Sequence, residues 1–389
     1  MVRRFAHSLL LVSLAACGAE DGRQPWEWPA PFPEGNRQTL NTYHVLHVAG
    51  TPEQMGEQHG RLMRKEVRRV IDDLIVNGEG NFGNRYDELI EGTKVMEPYQ
   101  PEEFRREMRA LAEAAGVKYL DVVAAQLWGD VWRGRPATYA KGWGCTSYGA
   151  FGPATQTGEI LCGRNMDWFD HGVSEYAAVL IHFTPDKGLP FVTVTWAGVI
   201  NGWTAMNARG IVVANNNGYD GRHTQLEAIS TCFLLRKVAQ YASSVEDGID
   251  LIRNARRACG TNLIVAGGDP PNAAVAEFDS ENLEVRWAKD GYVTADNSFY
   301  NLYEAPGAAV SEWSRAGRLV QLIRENYGRA DRTMNFAAAP GVALTGINLH
   351  SAVLFPKDLT LKVSMGQFPA VEHPYRGFRL TRQGIVSTE

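Results

Sequence analysis

The sequence lacks several features that would assign its 389 residues to common functional classes. It has no run of 18 apolar residues, so it predicts no membrane-spanning helix. Its net charge of −5 gives no reason to expect a nucleic-acid partner, which would require a basic patch. It has no Cys-x-x-Cys pair, no His/Cys cluster with zinc-site spacing and no glycine-rich phosphate loop. The sequence therefore predicts a packed domain that needs neither a metal nor an organic cofactor.

The first residues are typical of a secretory signal. Arg3 and Arg4 precede a short apolar stretch from Ser8 to Leu14, and small residues lead to Cys17. The sequence L-A-A-C at 14–17 resembles the lipobox of bacterial lipoproteins, which implies removal of residues 1–16 and attachment of lipid to Cys17. A plain signal peptide with an incidental cysteine is the alternative. Residues 17–40, with four prolines between 25 and 33, are predicted to be a flexible tether.

The hydrophobic pattern changes from helical to strand-like at residue 144. A strand is predicted at 43–48, followed by a helix that begins at Pro52 with a capping box from Thr51 to Gln54. Further helices are predicted from 101 and over 119–127. After Gly144 the pattern predicts strands at 145–150, 160–168, 178–183, 191–196, 206–214, 262–266, 273–278 and 283–287, helices at 225–243, 245–256 and 311–326, and a final hairpin over 351–363. Because hairpins dominate, antiparallel sheets covered by helices are expected, an α+β class.

Cys145 is the candidate nucleophile. A thiol attacks as thiolate, and a free cysteine has a pKa of about 8.5, so it needs a base. No histidine stands in a recognisable cysteine-protease pattern around Cys145. The α-amine of an N-terminal cysteine, with a pKa of about 8, can accept the proton instead. That amine exists only if the bond after Gly144 is cut, and a glycine leaves its carbonyl open to the neighbouring thiol.

Several motifs, in order, resemble the autoproteolytic N-terminal-nucleophile hydrolases. The motifs are Gly50-Thr51-Pro52 with Gly56-Glu57-Gln58-His59-Gly60, Trp143-Gly144-Cys145-Thr146-Ser147, Gly163-Arg164-Asn165-Met166-Asp167-Trp168, Met206-Asn207-Ala208-Arg209-Gly210 and Asp296-Asn297-Ser298-Phe299. They are similar to the isopenicillin N acyltransferase group (peptidase family C45), which is related to conjugated bile-acid hydrolases and penicillin V acylases. The resemblance implies an αββα sandwich of two antiparallel sheets.

The resemblance also assigns the remaining site residues. Arg164 is the expected cation beside sulfur, and Asp167 is the expected acceptor for the new ammonium group. The two have opposite parity in a strand, so both would face the site only through a bend or bulge. Asn297 is the expected oxyanion donor. One of Asn215, Asn216 and Asn217 is the expected second donor, with Asn216 preferred. The resemblance also implies a second arginine further along the chain, and Arg315 is preferred over Arg318 for that position.

These features predict an exported, membrane-anchored amidase or acyltransferase of the cell envelope or periplasm. Residues 41–144 would form a helical α-chain and 145–389 the catalytic β-chain, held together as a heterodimer after self-cleavage, with further oligomerisation possible. The substrate would be a small linear amide, and hydrolysis is favoured because coenzyme A thioesters are scarce outside the cytoplasm. Two alternatives stay open: an uncut hydrolase that pairs Cys145 with His350 or His223, and a non-catalytic binding lipoprotein of the same fold.

Overall fold

The computed structural model describes residues 28–77, 85–133, 144–168, 172–218, 221–304 and 309–389. The predicted signal peptide at 1–16, the lipidation residue Cys17 and Trp143 lie outside these ranges. Among the described helices, none is long and apolar enough to cross a membrane.

The described residues form two sheets with helices on their outer faces. The strands are β1 Asn36–Leu40, β2 Tyr43–Gly50, β3 Gly144–Ala150, β4 Leu161–Asp167, β5 Ala178–Pro185, β6 Phe191–Trp196, β7 Thr204–Asn207, β8 Ile211–Asn217, β9 Thr261–Gly267, β10 Asn272–Phe278, β11 Leu283–Trp287, β12 Tyr292–Ala295, β13 Asn348–Phe355, β14 Thr360–Met365, β15 Arg376–Thr381 and β16 Gly384–Ser387. The helices are α1 Pro52–Leu62, α2 Arg64–Val70, α3 Tyr86–Met96, α4 Glu102–Ala115, α5 Tyr119–Arg133, α6 Ser174–Ala177, α7 Thr231–Tyr241, α8 Val245–Arg253 and α9 Arg315–Glu325.

The sheets stack face to face. One has the strand order β1-β2-β5-β6-β7-β8-β9-β10-β11, and the other has the order β12-β3-β4-β13-β14-β15-β16. Three apolar clusters separate the layers: helices α1 to α5, α7 and α8 cover the first sheet, the two sheets meet in the second cluster, and α9 covers the other sheet. This helix–sheet–sheet–helix order confirms the predicted αββα sandwich and the α+β class.

The first half of the chain is fixed by close contacts. Thr51 and Gln54 form the predicted capping box at the start of α1. Gly56 and Gly60 let α1 approach the backbone of α4, because a Cβ added at Gly60 would lie 2.5 Å from the carbonyl oxygen of Leu111. The glycines of the 56–60 motif therefore serve helix packing rather than chemistry.

A buried ion pair joins the two halves that flank residue 145. Glu107 of α4 accepts a hydrogen bond from Arg236 of α7 at 3.0 Å, and both side chains are fully buried. The Arg236 guanidinium also lies 4.1 Å from the ring centre of Phe183 and 4.9 Å from that of Phe191. Burial raises the pKa of Glu107 to about 7, although the guanidinium opposes this.

The structure differs from the sequence predictions at several elements. Strand β1 lies inside the predicted tether, because residues 36–40 pair with β2. The final hairpin is followed by β15 and β16, which extend the same sheet. Helix α3 and strand β12 were not predicted. Strands β2 and β5 are parallel, and helices α1 to α6 with the β3–β4 hairpin form the long connection between them.

Candidate functional site

Cys145 is the second residue of β3, which pairs regularly with β4. Cys145 lies opposite Met166, and Ser147 lies opposite Arg164. Since opposite residues, and residues two apart, share a face of the sheet, Arg164 lies on the face that carries the Cys145 side chain. Asp167 lies opposite Gly144, on the other face. The expected bend in β4 is therefore not present, and the predicted cation and carboxylate approach the nucleophile from opposite sides of the sheet.

Arg315 and Asn297 converge on the bond between Gly144 and Cys145. The backbone N–H of Cys145 donates to Asn297 Oδ1 at 2.8 Å, and Arg315 Nη2 donates to the same oxygen at 2.6 Å. The guanidinium lies directly against Gly144, since an added Cβ there would come within 2.5 Å of Arg315 Cζ. Arg318 instead lies on the outer side of α9, where it contacts Pro340 and Gln321.

Asn297 does not occupy the predicted role of oxyanion donor. Two N–H groups point at its side-chain oxygen, which fixes the orientation of the amide. Its Nδ2 donates to the backbone carbonyl of Asn217 at 2.7 Å. Asn297 is therefore placed to hold the nitrogen of Cys145, and one of the two N–H groups of its amide is engaged by Asn217.

Asp167 is buried on the far side of β3 and β4. Its carboxylate accepts hydrogen bonds from Asn348 Nδ2 at 2.7 Å, from the backbone N–H of Leu344 at 2.9 Å and from Arg315 at 3.3 Å. Burial raises the pKa of Asp167, and these donors together with Arg315 oppose the shift. Its direct partner is Arg315, so it fixes the guanidinium that lies against Gly144. Sequence reasoning missed Asn348 and Leu344, for which a single sequence carries no local signal.

Arg164 is a buried cation on the Cys145 side of the sheet. It donates to the backbone carbonyls of Asn165 and Asn215, the latter at 2.7 Å. Its Nε has no hydrogen-bond partner, and among the described residues no carboxylate forms an ion pair with it. A guanidinium without a counter-ion stabilises negative charge that develops nearby. Arg164 is thus placed where the resemblance expected a cation.

The structure corrects the preference for Asn216. Its side chain points between the two sheets, where Nδ2 donates to Ser147 Oγ at 2.7 Å. Side chains alternate along β8, so Asn215 and Asn217 point the other way and line the cavity next to Cys145. The side-chain amides that face the cleft are therefore those of Asn215 and Asn217, and Asn215 Nδ2 donates one hydrogen bond to Asn217 Oδ1 at 3.3 Å.

A cleft opens beside the Cys145 side chain. Its empty volume is about 510 Å³, including space open to solvent. Helix α5 forms one wall and the ends of β3, β4 and β8 form the other. The lining residues are Ala125, Gln126, Trp128, Gly129, Asp130, Arg133, Cys145, Arg164, Met166, Trp168, Trp203, Asn215, Asn217 and Cys232.

Three tryptophans line this cleft. Trp128 and Trp168 meet edge to face with ring centres 5.4 Å apart, and Trp203 packs against Trp196 at 4.9 Å. Trp128, Trp168 and Trp203 therefore form an aromatic part of the cleft wall. A charged end lies beyond them, where Asp130 pairs with Arg133. The i,i+3 spacing of this pair on a helix was visible in the sequence.

The cleft supplies no histidine as a base. None of the described residues that line it is a histidine. His350 is separated from Cys145 by strand β4, which puts the two backbones about 10 Å apart. Burial, with Arg164 adding to it, lowers the pKa of His350 well below 6.5. His223 lies at the surface beside Glu281.

Comparison with known proteins finds one family model that is similar to part of the chain. Residues 154–342 match the family model of acyl-coenzyme A:6-aminopenicillanic acid acyl-transferase. This range begins after Cys145 and contains Arg164, Asp167, Asn297 and Arg315. Over these residues the chain is similar to this group of acyltransferases.

Individual relatives are more distant. An uncharacterised protein of Archaeoglobus fulgidus is 28% identical over 352 residues, which are 75% of this chain and 56% of the relative. Protein dcd1A of Dictyostelium discoideum is 24% identical over 279 residues, 63% of this chain and 60% of the relative. The chain thus spans little more than half the length of these curated relatives. The structure of a Caenorhabditis elegans ortholog of N-acylethanolamine-hydrolyzing acid amidase has a TM-score of 0.43 at 16% identity, over 63% of this chain and all of that one.

The match to the family model supports the predicted resemblance to this acyltransferase group. The comparisons do not extend to the residues that carry out the reaction. The roles of Cys145, Arg164, Asp167, Asn297 and Arg315 remain predictions, now with the geometry described above.

Proposed function

We propose that this N-terminal-nucleophile enzyme cuts itself between Gly144 and Cys145 and then uses Cys145 as the nucleophile of an amidase. One observation carries the proposal. The N–H of Cys145 is held by Asn297 at 2.8 Å, while the Cys145 side chain lines a cleft that also contains Arg164. The nitrogen and the sulfur of one residue are thus both placed as an N-terminal nucleophile requires.

Self-cleavage proceeds through a thioester. The sulfur of Cys145 attacks the carbonyl carbon of Gly144, the carbon–nitrogen bond breaks, and the nitrogen takes up the thiol proton to become a free amine. Water then attacks the thioester, leaving a carboxylate on Gly144 and a free thiol on Cys145. Asn297 and Arg315 hold the reacting bond in place, since Asn297 binds the nitrogen and the Arg315 guanidinium lies against Gly144.

Substrate turnover repeats the same chemistry on an external amide. The new α-amine takes the thiol proton and passes it to the leaving amine, while the acyl group stays on sulfur until water releases it. Arg164 stabilises the negative charge on the Cys145 side, and the amides of Asn215 or Asn217 bind the oxyanion. Asp167 acts through Arg315, which it fixes at 3.3 Å. Hydrolysis is favoured over transfer because an exported enzyme meets few coenzyme A thioesters.

The cleft indicates an apolar acyl group. Trp128, Trp168 and Trp203 lie with Met166 beside Cys145, and aromatic side chains recognise apolar and aromatic groups by area and ring stacking. Linear N-acyl amides with an alkyl or aryl tail fit this lining.

The proposal includes the predicted export of the chain and its membrane attachment through Cys17. After self-cleavage, residues up to Gly144 form an α-chain that stays bound to the β-chain. The Glu107–Arg236 pair supports this association because it is buried between the two parts. A Cys17→Ala variant of the full chain should move from the membrane fraction to the soluble fraction. Retention of the variant in the membrane would contradict anchoring through this residue.

The intact mass of the purified full chain tests self-cleavage. We expect a fragment that begins at Cys145, and Cys145→Ala should abolish both cleavage and activity. Cys162→Ala is the matched control: this thiol lies in the core between the sheets, its pKa is raised by burial, and it should affect neither. Full activity in an uncut chain would overturn the proposal in favour of an uncut hydrolase.

A second experiment separates the enzyme from a binding protein. The full chain is incubated with 4-nitroanilides of hexanoic and phenylacetic acid, and released nitroaniline is followed together with the mass of the β-chain. We expect turnover and a transient acyl adduct on Cys145. If neither substrate is turned over and a thiol-reactive acyl analogue also fails to label Cys145, the non-catalytic alternative is correct.

A further inference from the structure

A second layer of hydrogen bonds lies behind Asn297 and Arg315. Arg315 is the first residue of α9, where its positive charge meets the positive end of the helix dipole. The Arg315 side chain nevertheless extends toward the bond between Gly144 and Cys145, with contacts to Asn297 at 2.6 Å and Asp167 at 3.3 Å. Asp167 is one anion that offsets this repulsion, and a second anion near the start of α9 would offset it further.

Asp296 provides that anion. Its Oδ2 accepts a hydrogen bond from the backbone N–H of Ala316 at 3.1 Å, and its Oδ1 accepts one from the N–H of Ser298 at 2.9 Å. The carboxylate is buried, with 3% of the residue exposed. Two neighbouring contacts therefore link the same two segments of the chain. Asp296 contacts Ala316, and the next residue, Asn297, contacts Arg315.

Tyr300 connects this carboxylate to the cap of the helix. Its hydroxyl lies 3.1 Å from both oxygens of Asp296 and 2.9 Å from Oγ of Ser314, the residue that caps α9. Ser314 Oγ in turn accepts the N–H of Gly317. Burial, with the charge of Asp296 adding to it, raises the pKa of Tyr300, so the hydroxyl keeps its proton and remains a donor.

We propose that Asp296 and Tyr300 are positioning residues, which hold the start of α9 so that Arg315 and Asn297 stay aligned on Cys145. This inference rests on the proposed function, because it takes Cys145 as the reacting residue. Among the described residues, Asp296 and Tyr300 form hydrogen bonds with the start of α9 and not with Gly144 or Cys145. Both therefore act through Arg315 and Asn297. Misplacing a catalytic group by about 1 Å can reduce a rate about 10²-fold.

The full-length chain tests the inference with Tyr300→Phe and Asp296→Asn. Each variant removes one link while keeping most of the volume. We expect about tenfold slower self-cleavage and about tenfold lower kcat on the 4-nitroanilides, with KM changed less than about twofold. Tyr303→Phe is the matched control, because Tyr303 donates to Asp279 on the neighbouring segment and makes no contact with Asp296 among the described residues. Equal kinetics in Tyr300→Phe and Tyr303→Phe would overturn the inference.

A double-mutant cycle distinguishes positioning from a general loss of structure. If Tyr300 acts through Arg315, adding Tyr300→Phe to Arg315→Lys should lower kcat by less than about twofold further. Full additivity of the two losses would overturn the inference. Activity that survives in Cys145→Ala would refute the proposed function itself. An inactive Cys145→Ala, together with a normal Tyr300→Phe, would refute only the positioning role.

Discussion

The contact between Gly144 and Arg315 makes residue 144 the most sensitive position for self-cleavage. In Gly144→Ala the new methyl group would lie 2.5 Å from Arg315 Cζ, far inside van der Waals contact. Forcing it into place costs about 1–3 kcal/mol, as overpacking in well-packed sites does. If the guanidinium moves away instead, its bond to Asn297 is lost, which costs about 1.5–3 kcal/mol for a charged hydrogen bond. Either route loosens the group that holds the nitrogen of Cys145.

The upper end of either cost, about 3 kcal/mol, corresponds to cleavage that is about 10²-fold slower if it is added to the barrier. The assay is the time course of the intact mass after the full chain is released from a denaturant that stops cleavage. Gly346→Ala is the control, because a Cβ added at Gly346 has nothing within 4 Å. Cleavage of Gly144→Ala at the rate of the unmodified chain would refute the reasoning. Slow cleavage in both variants would refute it as well, since the effect would not be specific to the contact with Arg315.

Three further predictions concern charge. Glu107→Ala should lower the free energy of unfolding by about 3–5 kcal/mol, because it leaves Arg236 buried without a counter-ion. The loss in Glu107→Gln should be smaller. Denaturant unfolding curves that show a loss below about 1 kcal/mol for Glu107→Ala would contradict this. His47 and His182 touch through their Nδ1 atoms at 3.1 Å, and burial lowers their pKa values to about 4 and about 3. Below pH 6.5 the unfolded chain binds protons on these two histidines and the folded chain does not. The free energy of unfolding should therefore fall between pH 6.5 and about 4, by up to roughly 1.4 kcal/mol per pH unit for each histidine. Unfolding midpoints that do not change with pH would refute this. Arg164→Gln should slow acyl transfer to Cys145 about 10²-fold in single-turnover measurements, with only partial recovery in Arg164→Lys, because lysine lacks the planar fork.

The sequence predicted most elements of the fold because its patterns are local. The capping box at Thr51 and the two-residue alternation after Gly144 depend on neighbours in the chain, and both are found in the structure. Strand β1 and the pair β15–β16 were missed because their apolar content is low and their stability comes from pairing with strands far away in sequence. The parallel pairing of β2 with β5 is likewise a property of the assembled sheet.

The sequence could name candidate residues for the site but not their orientation. The roles predicted for Cys145, Arg164 and Arg315 stay predictions. The strand register decides the rest: it turns Asn216 away from the cleft and puts Asp167 on the opposite face from Arg164. The role of Asn297 depends on whether the oxygen or the nitrogen of its side-chain amide faces Cys145. The N–H of Cys145 and the guanidinium of Arg315 both donate to the oxygen, and a single sequence does not show these contacts.

Helix α5 belongs to the part of the chain before Gly144, yet it forms a whole wall of the cleft. Under the proposed maturation, both polypeptides would line the acyl pocket, because Trp128 of α5 lies on the α-chain while Trp168 and Trp203 lie on the β-chain with Cys145. Substitutions in α5 would then change the wall of the cleft while Cys145 and the other residues of the β-chain stay the same. Evolution, or a protein engineer, could alter what the enzyme accepts without touching how it reacts.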